Sequence, residues 1–164
     1  MVRMATTTQY ISYRNANSWW ATAGSYGATA WGLAFALVHL YWLLGGRTGL
    51  PGGLSLGDNL PLLIIDVVAI PLSLVATVLA LALIRPWGAL IPRRLLRTTA
   101  WGTTALLVVH ALPSVLDWAA LAVGARAADE LTDLERFATF LYEPWFLAGG
   151  VLFGLAALGT RARR

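Results

Sequence analysis

Four long, mostly apolar stretches, near residues 27–46, 61–84, 98–121 and 142–159, leave this chain few ways to fold. About 20 apolar residues in an α-helix cross the hydrocarbon core of a bilayer, and a helix satisfies its own backbone polar groups on the way. Four such spans with short connections use nearly all of the 164 residues, so no second folded domain fits beside them. The composition agrees, with 58% apolar residues, 12% charged residues and a mean hydropathy of +0.67, outside the usual range of a water-soluble domain. The sequence therefore predicts an all-α fold, a four-transmembrane-helix bundle.

Residues 1–26 are polar and lack the apolar core and cleavage site of a secretory signal, so they read as an N-terminal cytoplasmic tail. The membrane domain then runs over 27–160, and 161–164 form a basic C-terminal tail. Trp19 and Trp20 suit an interface, because an indole has an apolar body and one donor. Gly45, Gly46 and Arg47 close the first span, and the Gly- and Pro-rich segment 50–61 reads as a connection. Pro71 should kink the second span or free a carbonyl. Within the charged segment 124–138, Leu131, Leu134 and Ala138 sit at helical spacing, which points to a short interfacial helix. Tyr142-Glu143-Pro144 marks the start of the fourth span, with a carboxylate beside the positive helix end.

All the basic residues are arginine, and nine of the twelve fall in the N-terminal tail, the second connection and the C-terminus. The positive-inside rule then puts both termini of a multi-pass cell-membrane protein in the cytoplasm. In that orientation the ionisable residues within the spans gather in the outer half. His39 lies seven residues before the outer end of the first span, and Asp66 five residues inside the second. Glu143 opens the fourth, and Asp117 is near the outer end of the third with His110 seven residues deeper. Thr103, His110 and Asp117 recur at intervals of seven, and Asp66, Ser73 and Thr77 at offsets of 7 and 11, so each of these spans has a polar stripe. Gly150 and Gly154 form a G-x-x-x-G that allows close helix approach.

These stripes predict a polar pocket open to the outside, lined by His39, Asp66, His110, Asp117 and Glu143. Imidazole titrates near neutral pH and carboxylates respond strongly to burial, so such a site could relay protons or position a small ligand. The same groups could also serve only to tie helices together by hydrogen bonds. The absence of cysteine removes thiol redox chemistry and thiolate metal sites. Haem held by His39 and His110 is disfavoured, since the two ligands would have to lie at similar depth on facing helices. No H-x-x-x-H, H-x-x-E or E-x-x-H spacing points to a metal, and phosphate-loop and dinucleotide patterns are missing. The arginines fit topology and anionic lipid rather than nucleic acid.

A faint repeat links Ala30-Trp31-Gly32 to Ala100-Trp101-Gly102 at an offset of 70, as a duplicated helix pair would. The segment H-L-Y-W-L-L-G-G at 39–46, His110 within the third span and Y-E-P-W-F-L-A-G-G-V-L-F at 142–153 together resemble a family of small bacterial four-span membrane proteins, catalogued as a domain of unknown function. That resemblance covers roughly 27–158 and implies a four-helix membrane architecture, with histidine and glutamate positions that correspond here to His39 and Glu143. It brings no reaction, ligand or cofactor with it. The expected function is a small-ligand or proton-handling pocket. The alternatives are an accessory or scaffold subunit of a membrane complex with the glycine-rich fourth span as its partner face, and an intramembrane enzyme acting on a lipid or isoprenoid. The expected partners are the lipid bilayer and a small molecule or membrane protein, with no nucleic acid.

Overall fold

A computed structural model describes residues 4–52 and 54–159, and it is all helical among them. The helices are α1 (Met4–Leu43), α2 (Leu60–Ala82), α3 (Arg93–His110), α4 (Leu112–Ala122), α5 (Asp133–Phe137) and α6 (Glu143–Gly159). The expected tail at 161–164 lies outside the described residues. Helix α1 packs against α2 on one side and α6 on the other, and α6 packs in turn against α3. The core is the seam between these helices, where Ala28, Trp31, Ala80, Leu107 and Phe153 are buried together.

Local chemistry explains most of the boundaries. Helix α1 stops at a glycine pair: Gly45 takes a left-handed φ of +96°, its N–H donates to Trp42 O, and the N–H of Gly46 donates back to Tyr41 O. This is the pattern in which a glycine closes a helix by satisfying its last carbonyls. Helix α2 starts at Asn59, whose side-chain oxygen accepts from the N–H of Leu62 at 3.2 Å. It continues through Pro71, which sits on its exposed face.

Three features depart from the sequence expectations. Helix α1 runs unbroken across the boundary drawn at residue 26, and Ser25 and Ala28 are fully buried within it. The stretch at 98–121 is not one straight helix: α3 and α4 meet at His110 with a bend of 41°. Pro113, near the start of α4, has no N–H for the carbonyl one turn back and its ring clashes with that carbonyl, so the helix breaks there. The last helix begins well before Tyr142. Thr132 and Glu135 cap each other's backbone N–H groups reciprocally, and the chain is continuously helical from Asp133 to Gly159.

Helix α2 and the 133–159 helix are long and apolar enough to cross a membrane, and the bent α3–α4 pair adds a third if it is one span. The outer surface agrees with membrane association, since Leu72, Val75, Leu106 and Val109 are all at least 60% exposed.

Candidate functional site

Helix α2 turns only Asp66, Ser73, Ala80 and Ala82 fully inward, so its buried face is the polar stripe seen in the sequence. Ser73 and Thr77 spend their hydroxyls on their own helix, donating to Ala69 O at 2.6 Å and Ser73 O at 2.8 Å. Asp66 has no such outlet. It is 2% exposed, and its Oδ2 has no hydrogen-bond partner among the described residues.

Across from it, one turn before the glycine stop of α1, His39 is 2% exposed among Phe35, Trp42 and Tyr142. Its Nδ1–H donates to Phe35 O at 2.8 Å. A carbonyl can only accept, so this nitrogen carries the proton and Nε2 is left as the acceptor in the neutral ring. Nε2 lies 3.2 Å from the Tyr142 hydroxyl, which donates to it. His39 and Asp66 interact electrostatically, although no ion pair joins them.

Tyr142 and Glu143 owe their positions to a local widening of the last helix. Residues Ala138–Tyr142 form a π-helical turn closed by the Glu143 N–H donating to Ala138 O. Pro144 follows directly, and a residue without an N–H, whose ring crowds the carbonyl of Phe140, is accommodated by loosening the turn before it. Glu143 is 9% exposed; its Oε2 has no hydrogen-bond partner among the described residues, and its Oε1 lies 3.8 Å from His110 Nε2. That separation is too long for a hydrogen bond and becomes an ion pair only when His110 is protonated. The His110 ring lies over Phe146 with centroids 4.0 Å apart, and its side chain is 49% exposed at the α3–α4 bend.

Four of the five residues singled out from the sequence thus surround Tyr142. Asp117 does not join them, because the bend carries it elsewhere. Its Oδ1 accepts from Arg126 at 3.1 Å and its Oδ2 from Thr139 at 3.4 Å, while Arg126 also donates to Glu135 at 2.7 Å. This knot ties the connection after α4 to the start of α5. The hydrogen bond to Glu135 and the two carboxylates hold the Arg126 guanidinium above its usual pKa. Thr103 donates to Thr99 O in its own helix and also lies apart from the cluster.

Tyr142 is the residue the polar stripes did not single out; its place beside Glu143 was the available signal. The glycines of α6 are used inside the chain. A Cβ on Gly149 would fall 2.5 Å from the Trp31 ring, and one on Gly150 would fall 2.8 Å from Val108 of α3. Trp31 locks the first contact by donating from Nε1 to Trp145 O at 2.8 Å. Among the described residues no three His, Asp or Glu side chains stand close enough to hold a metal ion.

A family described as "Protein of unknown function (DUF3995)" matches residues 32–153. No curated protein and no solved structure matches the chain.

Proposed function

The chain belongs to the DUF3995 family, and from that premise we propose that it is a four-pass membrane protein whose outer half holds a proton-handling site. The four passes are the apolar half of α1, α2, the bent α3–α4 pair and the 133–159 helix, with both termini cytoplasmic. The arginine distribution supports that orientation.

The observation that carries the functional reading is the pair of buried carboxylates, Asp66 and Glu143, each with an oxygen lacking a hydrogen-bond partner among the described residues, and both within electrostatic reach of the Tyr142 that donates to His39. A carboxylate that served only to tie helices would have its oxygens satisfied, since leaving a buried polar atom unpaired costs about 1–3 kcal/mol. In this site Tyr142 bridges His39 to the neighbourhood of Glu143, and Asp66 supplies a second proton acceptor. A proton taken up at Glu143 changes the charge facing Tyr142 and, through its hydroxyl, the His39 ring to which it donates. Such a device suits the protonation of a small ligand or the coupling of a proton to a conformational change.

Proton uptake measured after a small pH step around neutrality, on protein in nanodiscs at low buffer strength, tests the reading. Wild type should take up more protons per chain than an Asp66→Asn, Glu143→Gln double variant. Equal uptake would leave the polar cluster as a helix tie and favour an accessory subunit.

A further inference from the structure

The opposite end of the bundle holds a cavity of about 590 Å³ where α1, the end of α2, the start of α3 and the end of α6 meet. Its lining includes Ser25, Arg85, Arg93, Arg94 and Arg97. Three of these arginines lie at the beginning of α3, where there is no acidic residue in the first turn and no side-chain cap. A helix start is the positive end of the helix dipole, and arginines three apart, such as Arg94 and Arg97, repel one another. Cations collected there cost stability until an anion joins them. Arg85, Arg94 and Arg97 have no carboxylate partner among the described residues; Arg85 instead lies over the Tyr26 ring at 5.8 Å.

Ser25 is the second, independent sign. It is fully buried, it lines this cavity, and its hydroxyl has no hydrogen-bond partner among the described residues. A serine used merely for packing on a helix would donate to the carbonyl one turn back, as Thr29, Ser73 and Thr77 do. The shape is maintained by Gly88, whose backbone is pressed so closely on the Ala82 carbonyl that any side chain would overlap it.

We propose that this cavity binds one phosphate group, as a monoester or a diester, with the arginines on its oxygens and the Ser25 hydroxyl as an additional donor. Guanidinium groups match phosphate oxygens in paired hydrogen bonds, and a cavity of this volume accepts a phosphate with a glycerol-sized substituent. The ends of α2 and α6, which disfavour anions, approach the same region, so the arginines must dominate the site. The inference is independent of the proton-handling site at the other end.

The test is native mass spectrometry of the full chain released from nanodiscs of phosphatidylcholine containing a minor fraction of phosphatidylglycerol, with and without inorganic phosphate. One phosphatidylglycerol should be retained per chain in preference to phosphatidylcholine. Displacement by millimolar inorganic phosphate would identify a free phosphate as the preferred occupant, and resistance would identify the lipid headgroup. Ser25→Val keeps every arginine, so general attraction to an anionic surface would not register it, whereas the proposed site should weaken about tenfold, the loss of one charge-assisted hydrogen bond. An Arg94→Gln, Arg97→Gln double variant alters exposed positions, leaves the fold intact and should lose retention. Retention that neither variant changes, or no one-to-one adduct of either kind, would overturn the proposal.

Discussion

Two pairs of carboxylates near the same end of the bundle are used in opposite ways. Asp117 and Glu135 share Arg126, and both belong to a network that holds the connection after α4. Asp66 and Glu143 are more deeply buried, and each keeps an oxygen without a hydrogen-bond partner among the described residues. The first pair has an architectural role that uses its hydrogen-bonding capacity. The second retains capacity at a cost in stability, and the proposed proton-handling role would account for that cost.

The largest way to break this contrast is to separate the helices that create the second environment. Gly149→Leu gains about 1 kcal/mol of helix propensity but drives a side chain into the Trp31 ring, and overpacking of this kind costs about 1–3 kcal/mol or more. The overlap with a ring wins, so the variant should unfold at lower temperature in micelles and lose the titration behaviour of the cluster with it.

A smaller and more discriminating comparison replaces one member of each pair. Asp66→Leu exchanges a buried carboxylate with one unpartnered oxygen for an apolar group and should raise stability by about 1–3 kcal/mol while lowering the site's proton uptake. Asp117→Asn breaks an ion pair that is partly open to solvent and should lower stability slightly without touching proton uptake. Thermal unfolding of the two variants beside wild type checks the sign of each change.

The helical class and the inward stripe of α2 were legible because both follow from a period: apolar length predicts the helices, and Asp66 and Ser73 at an interval of seven do face inward together. Periodicity failed where the backbone departs from a straight helix. Thr103, His110 and Asp117 share a stripe only if α3 and α4 are collinear, and Pro113 bends the chain between them. Pro144 likewise read as a helix start, whereas the cap lies at Thr132 and the proline instead sets up the π-turn that positions Tyr142 and Glu143. The partner of Asp117 is an arginine in a connection, and no helical spacing reveals such a pairing.

The remaining differences concern which neighbour a residue meets. Gly32 faces Thr77 of α2, while Gly102, its counterpart in the apparent repeat, has open space around it. The two Trp-Gly motifs therefore occupy unlike environments. Ser25 belonged to a segment read as a polar tail, and its burial depends on the end of α6 packing against it, where a Cβ on the adjacent Gly24 would fall 2.8 Å from Leu155. In each case the missing information was the identity of the facing helix.

The most direct test of the proposed proton-handling cluster is the ¹⁵N resonance of the His39 imidazole, followed through a pH series in wild type, Asp66→Asn and Asp117→Asn. If Asp66 and His39 belong to one titrating unit, the midpoint for His39 moves in Asp66→Asn and is unchanged in Asp117→Asn. A His39 signal that reports a fixed neutral ring across the series, or that responds equally to both substitutions, would contradict the account.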